Sequence, residues 1–122
     1  MPDKTTIACD YLDAWHRKDA TAIGAYFHPE VSLTGPMANI AGRDAVVASA
    51  ARMFPMLKGY EVREIFAKND QAICIYDFIC AEPIGRCRTA ELLTFDGDLI
   101  RGIELFFDAR PFEAALKARS VV

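Results

Sequence analysis

The chain has 122 residues, 52% of them hydrophobic and 25% charged, with 14 basic against 17 acidic side chains and a formal net charge of −3. That composition supports one folded domain spanning residues 1–122, with a core and room for a pocket, and excludes a disordered polyelectrolyte. No run of Lys or Arg attracts a phosphate backbone or an anionic membrane, so neither nucleic acid nor a membrane surface is expected as a partner.

Residues 1–7 (MPDKTTI) lack the apolar region of a secretion signal, and no stretch is long enough to span a bilayer, which makes the cytoplasm the expected location. Ile7, Ala8, Tyr11, Leu12 and Trp15 then recur at helical spacing, and Asp19 is placed to cap a second short helix carrying Ile23 and Phe27 on one face. After His28-Pro29 a short strand over 31–34 is broken by Gly35-Pro36. A third helix starts near Gly42, with Val46, Val47, Ala50, Met53 and Phe54 as its apolar stripe, and stops at Pro55. Strands are predicted over 60–68, 72–82, 86–95 and 99–107, separated by Asn69-Asp70, Pro83-Ile84-Gly85 and Asp96-Gly97-Asp98. Such short turns imply an antiparallel meander. Pro111 suits the first turn of a last helix reaching about Ala118. Helices first and strands second make an α+β domain.

Four cysteines, at positions 9, 74, 80 and 87, form no CxxC, and three sit in strand-like apolar patterns; they read as buried reduced thiols rather than as a disulfide or metal site. His16 and His28 read as solvated. There is no Ser-His-Asp set, phosphate loop or metal cluster in the pattern, so no cofactor and no metal is expected.

The acids carry the chemistry. Asp77 is the only charge in the run 72–81 (AICIYDFICA), and Asp108 closes a second apolar strand over 103–107 (IELFF). An ionised carboxylate there costs free energy unless it is paired or used. Alternation groups Ile73, Ile75, Asp77 and Ile79 on one face and Cys74, Tyr76, Phe78 and Cys80 on the other. Glu91 alternates with Thr89, Leu93 and Phe95, with Arg86 and Arg88 on the opposite side. Both faces are apolar, so each must be covered. We expect the acids on the helix-covered face, where Tyr11, Trp15, Phe54, Ile75, Asp77, Glu91, Phe106 and Asp108 line one cavity. Cys74, Tyr76, Phe78, Ile103, Leu105 and Phe107 are expected on the other face, buried against a second copy in a homodimer. Other assignments stand beside these. Asp77 can pair with Arg63, Arg88 or Arg101, Asp108 can cap the last helix, Tyr11 and Trp15 can be core, and Glu91 can be an ion-pair partner.

Two helices, a strand, a long loop into a Gly-Arg-Asp-Ala-Val helix start and a four-strand meander ending in Phe-Phe-Asp together resemble the nuclear transport factor 2-like superfamily. That superfamily includes SnoaL-like polyketide cyclases, ketosteroid isomerases and limonene-epoxide hydrolases. The resemblance implies a cone, or cystatin-like roll, in which a curved antiparallel sheet wraps the N-terminal helices around an apolar pocket. Segments 42–46 (GRDAV) and 103–116 (IELFFDARPFEAAL) are similar to limonene-epoxide hydrolases, whose two catalytic aspartates fall on Asp77 and Asp108. The arginine that lies between those acids is replaced by Ile75, and the water-holding tyrosine and asparagine by Ser32 and Thr34. Against ketosteroid isomerases, Tyr11 matches the oxyanion tyrosine and Glu91 the acid held neutral by an apolar site, while the general-base position is Gly35.

What the resemblance implies is a cofactor-independent acid/base enzyme, a hydrolase, isomerase or cyclase, acting on a small apolar oxygenated molecule. Asp77, Asp108, Tyr11 and Glu91 would be its catalytic groups, and Trp15, Phe54, Ile75, Phe106, Ser32 and Thr34 would contact the ligand. Without an arginine between them, Asp77 and Asp108 are expected to titrate as a coupled pair with one proton held above the ordinary aspartate range. A binding protein without turnover and a dimerisation module with a filled core are the alternatives.

Overall fold

The computed structural model describes residues 3–120. Helix α1 (Lys4–His16) starts where the Asp3 carboxylate accepts the Thr6 N–H at 2.8 Å, and it buries Ile7, Ala8, Tyr11, Leu12 and Ala14. Asp19 caps α2 (Ala20–Ala25) as expected, accepting from the Ala22 N–H at 3.1 Å. The second helix is shorter than its periodicity suggests. The Tyr26 carbonyl accepts from Ile100 N–H at 2.7 Å, which draws the chain to the sheet, so Phe27 opens strand β1 (Phe27–Thr34) instead of continuing the helix. A short β2 (Asn39–Ala41), absent from the sequence reading, pairs with β1. Helix α3 (Arg43–Met53) then ends in a 3-10 turn, Phe54–Met56, around Pro55, whose ring cannot continue an α-helix.

The meander follows as β3 (Leu57–Lys68), β4 (Gln71–Cys80), β5 (Arg86–Asp96) and β6 (Leu99–Phe107), and α4 (Arg110–Ser120) closes the chain. The six-stranded sheet has the order β2-β1-β6-β5-β4-β3. It is mixed rather than wholly antiparallel, because β1 adds in parallel to the free edge of β6. Strand periodicity identifies strands; it carries no information about which edge a strand from the other end of the chain will join. Among the described residues, no helix is long and apolar enough to cross a membrane.

Register decides which face is inside. Cys74 pairs with Glu91 and Glu91 with Leu105; in the next row Tyr76 pairs with Thr89 and Thr89 with Phe107. Paired residues share a face. Cys74, Tyr76, Phe78, Glu91, Ile103, Leu105 and Phe107 therefore face the helices, with Tyr76 and Phe78 buried beneath α1 and the segment after α3. Ile73, Ile75, Asp77, Leu92, Glu104 and Phe106 form the outer face, the reverse of the assignment expected for β4 and β6, whereas Glu91 on β5 lies on the helix side as expected. Both alternating sets of β4 are apolar, so hydropathy alone does not separate inside from outside. The pairing Asp77 to Arg88 does, since an arginine row cannot be driven under the helices.

Because the Asp19 cap was predicted from spacing alone and is present, Asp19→Ala should cost about 1 kcal/mol in urea denaturation. A change indistinguishable from zero would show that α2 is held by packing of Ile23 and not by its cap.

Candidate functional site

Tyr11 and Trp15 lie one turn apart on α1, so both side chains descend on the same patch of the sheet. The Trp15 Nε1–H donates to the Tyr11 hydroxyl oxygen at 3.1 Å, and the Tyr11 O–H donates to Glu91 Oε2 at 3.1 Å. From the neighbouring strand, the Tyr76 O–H donates to Glu91 Oε1 at 2.6 Å. Glu91 is 3% exposed, and among the described residues no basic side chain is paired with it. Burial pushes its carboxyl up, against the hydrogen bonds from Tyr76 and then Tyr11. Tyr11 and Tyr76 are held well above the ordinary tyrosine value, first by burial and then by the charge of Glu91. Burial thus pushes each of these groups toward its protonated form.

Aromatic rings pack around this set. Trp15 meets Phe54 edge-on at 5.7 Å and 89°, and Tyr60 meets Phe78 at 5.2 Å and 85°. Tyr60 also packs on Tyr76, with ring centroids 5.0 Å apart. Trp15, Phe54 and Tyr60 are partly exposed. Trp15 and Phe54 were expected here. Tyr60 and Tyr76 were not, and a signal for Tyr76 was present: a tyrosine inside a buried strand needs a hydrogen-bond partner, and a buried carboxyl is the strongest one available.

Asp77 lies elsewhere. It is fully buried on the outer face, where Arg86 Nη1 reaches Oδ2 at 2.8 Å, Arg63 Nη1 reaches Oδ2 at 3.2 Å and Arg88 Nε reaches Oδ1 at 3.3 Å. A register shift between Val62 and Glu64 leaves Arg63 unpaired in the ladder and able to swing to this side. Glu61 in turn accepts from Arg86. Asp108, at the end of β6, accepts the Arg110 backbone N–H at 3.0 Å and the Arg110 guanidinium at 2.7 Å.

The expected coupled pair is therefore corrected. The Arg86 hydrogen bond first, then Arg88 and Arg63, hold Asp77 below the ordinary aspartate range, and Arg110 takes Asp108 down to about 2. Asp77 has three arginines and Asp108 has one, and neither acid raises the other. Ile75 and Phe106 lie on the outer face and so do not line the inner site. Ser32 and Thr34, opposite Gly102 and Glu104, are exposed on that same outer side and cannot hold a water inside the cone. Gly35 sits over the inner wall: a Cβ there would lie 3.2 Å from Leu105 Cβ, so the base position of ketosteroid isomerases is closed to a larger side chain unless Leu105 shifts.

Cys74, Cys80 and Cys87 are buried, as expected, and burial takes Cys74 up to about 12 and Cys80 up to about 11; Cys9, in contrast, is exposed on α1. Two open surface depressions, about 480 Å³ between α2 and α3 and about 320 Å³ beside Lys4 and Lys68, are remote from Glu91.

Asp77→Asn should destabilise the protein at neutral pH without affecting any ligand of the inner face. A carboxylate whose folded pKa is depressed contributes stability above its unfolded pKa, near 3.9, and loses it as pH falls through the folded value. The gap in melting temperature between wild type and Asp77→Asn should accordingly close as the pH drops from about 5 toward 2. A gap that persists unchanged in acid would mean that packing, not charge, holds Asp77.

No functionally curated protein shows significant similarity to the chain. Among solved structures, a protein from Kribbella flavida DSM 17836 is 27% identical, with a TM-score of 0.86 and 97% of each chain covered. A putative ketosteroid isomerase from the same organism is 16% identical, with a TM-score of 0.77, covering 85% of this chain and 76% of its own. A ketosteroid isomerase-like protein from Catenulispora acidiphila DSM 44928, in complex with trimethylamine, is 18% identical, with a TM-score of 0.72, covering 84% of this chain and 85% of its own. The fold is thus the nuclear transport factor 2-like, ketosteroid isomerase-like cone that the order of elements implied. Residues 8–103, which hold Tyr11, Trp15, Tyr76 and Glu91, match the SnoaL-like domain, and the chain belongs to that family.

Proposed function

We propose that the chain is a cofactor-independent enzyme of the isomerase or cyclase type, in which Glu91, Tyr11 and Tyr76 bind and polarise an oxygen of a small apolar molecule. The observation that supports this most is the buried Glu91 carboxyl, which has two tyrosyl donors and no cation among the described residues. Burial shifts a carboxyl toward its protonated form, the form that can donate a proton. Catalysis through Asp77 and Asp108 loses support, because their arginines keep both ionised and Asp77 faces outward.

The same distribution of charge favours some reactions over others. The inner face offers tyrosyl donors around a carboxyl that burial pushes toward its neutral form, which makes it a weak base. Opening an epoxide requires a base to activate water as well as an acid, so epoxide hydrolysis is disfavoured. A tautomerisation or an intramolecular aldol closure also needs a proton acceptor for its C–H bond; with only donors and a weak base at the inner face, that proton would pass to solvent water, so the arrangement suits a substrate whose C–H bond is already acidic and whose developing oxyanion the tyrosines and Glu91 would stabilise.

A second reading, a binding protein without turnover, is favoured by the weakness of that base. A small alkylammonium ion would supply the cation that Glu91 lacks, with Trp15 and Tyr60 as π-faces, and trimethylamine is the ligand of the Catenulispora neighbour.

We also propose a homodimer through the outer face, where Phe66 and Phe106 are more than half exposed beside Ile73, Ile75 and Leu92. The buried thiols suit a reducing cytoplasm.

Incubation of small cyclic ketones and 1,5-diketones in deuterated buffer, followed by NMR, tests the catalytic reading. Wild type should accelerate α-proton exchange or ring closure, and Glu91→Gln should reduce the rate roughly 10²- to 10⁴-fold. Binding without exchange in wild type would favour the binding protein; an undiminished rate in Glu91→Gln would remove Glu91 as the acid. For the assembly, sedimentation at micromolar concentration should give a dimer in wild type and a monomer in Ile75→Glu. A monomeric wild type would leave the outer face bare and reject the dimer.

A further inference from the structure

We infer that two copies pack outer face to outer face about a two-fold axis running across the strands, so that Arg88 of each copy lies against Glu104 of the other. The inference rests on the reading that the outer face is a dimer interface, and it fixes how the two copies are turned relative to one another.

Register gives the outer face a direction. Glu61, Asp77 and Arg88 are paired in one row, with Arg86 one step beyond them. The next row is Glu64, Ile75, Ala90 and Phe106. In the row after that, Phe66, Ile73 and Leu92 lead across to Glu104. At a rise of about 3.3 Å per residue, the first and third rows are about 13 Å apart, with an apolar belt between them.

The two ends carry opposite charge. At one end Arg63, Arg86 and Arg88 meet Asp77 and Glu61, three guanidiniums against two carboxylates, which leaves one positive charge in excess. Across the belt, Glu104 on β6 is exposed, as is Glu64 at the belt's edge on β3, and among the described residues neither is in an ion pair. Lys68 lies one row further, at the turn into β4, and Arg101 is engaged by Glu30 and Asp96. Arg88 gives Asp77 only its Nε, at 3.3 Å. Its two Nη groups have no acceptor among the described residues, and they form the fork that takes a carboxylate end-on. Buried Asp77 is then a positioning residue, gathering the guanidiniums at one end of the face.

Aligned packing keeps the strands of facing sheets within about 30° of each other, so the axis runs either along the strands or across them. An axis along the strands sets one arginine end on the other. An axis across the strands, passing through the belt near Ala90, turns one copy end over end and brings the arginines over Glu104 of the second copy. Facing sheets stand about 10 Å apart, a gap that an arginine and a glutamate span together. A two-fold contact is isologous, so the attractive pair forms twice in this orientation and the repulsion would be felt by both copies in the other.

Sedimentation of the full chain at micromolar concentration tests the orientation. Glu104→Arg alters an exposed side chain that has no charged partner in its own chain, so circular dichroism should be unchanged while the dissociation constant of the dimer rises roughly 10²-fold. An equimolar mixture of Glu104→Arg with Arg88→Glu should recover the wild-type affinity, because each pair in the mixed dimer again joins opposite charges. Arg88→Glu places a second carboxylate beside Asp77, so a measurement free of that variant stands beside it: sodium chloride raised from about 0.05 to about 0.5 M should weaken the wild-type dimer, whereas facing arginine ends would make salt tighten it. A Glu104→Arg dimer of undiminished affinity, a mixture of folded variants that stays monomeric, or a wild-type dimer tightened by salt overturns the orientation while the dimer itself stands, since Ile75→Glu would still separate the copies. A monomeric wild type overturns both the orientation and the reading beneath it, and leaves this face to a partner of different sequence.

Discussion

The buried carboxyl of Glu91 is the constraint around which the inner half of the molecule is arranged. Left without partners, a carboxyl in this environment would cost several kcal/mol. Tyr11 brings a donor from α1 and Tyr76 one from β4, so satisfying a single group on β5 ties the first helix to the middle of the sheet. Trp15, donating to Tyr11, extends the same tie by a helical turn and carries the aromatic wall with it. Which way α1 sits against the sheet, and therefore which rings pack around Glu91, follows from where these hydroxyls must go.

Such a network is a poor way to gain stability. An apolar side chain in place of a buried, hydrogen-bonded acid is often neutral or stabilising when its partners are replaced with it. The cluster is instead suited to holding protons in defined places: every titratable member is pushed toward its protonated form by burial, and the short Tyr76 contact leaves little freedom in where the shared hydrogen lies. Asp77 is the opposite case. Its burial is compensated by three guanidiniums whose own side chains are about half exposed or more, so the acid stays ionised and the arginines keep part of their hydration. Two carboxyls on adjacent strands, one on each side of one sheet, end with pKa shifts of opposite sign because one meets hydroxyls and the other meets arginines.

Much of this was legible in the chain itself. Tyr11 and Glu91 were identified as one functional pair from their positions relative to ketosteroid isomerases, and the structure brings them within 3.1 Å. The acids at 77 and 108 were legible as unusual but not as paired. Arg63 reaches Asp77 only because of a bulge in β3, and Arg110 reaches Asp108 only through the turn into α4. Neither event leaves a mark in hydropathy. Tyr60 was invisible for a further reason: β3 is largely exposed along its length, so nothing in its pattern sets one tyrosine apart until β4 is laid beside it.

Local chemistry sufficed for the elements. Helical spacing from Ile7 to Trp15, the Asp19 cap, the stop at Pro55 and the turns between β3, β4, β5 and β6 each act over a few residues, and all are present. The side of the sheet on which a residue lies is not local. Period-two alternation divides β4 into two sets, Ile73, Ile75, Asp77 and Ile79 against Cys74, Tyr76, Phe78 and Cys80, and both are apolar enough to be core. Only pairing across strands, Asp77 with Arg88 and Cys74 with Glu91, decides which set faces the helices, because a row of arginines must keep contact with water and a lone carboxyl must find hydroxyls. The sequence by itself determined the helices, the meander strands, their order and the family; register across the sheet placed Glu91 inside and Asp77 out, and added β2 at the edge.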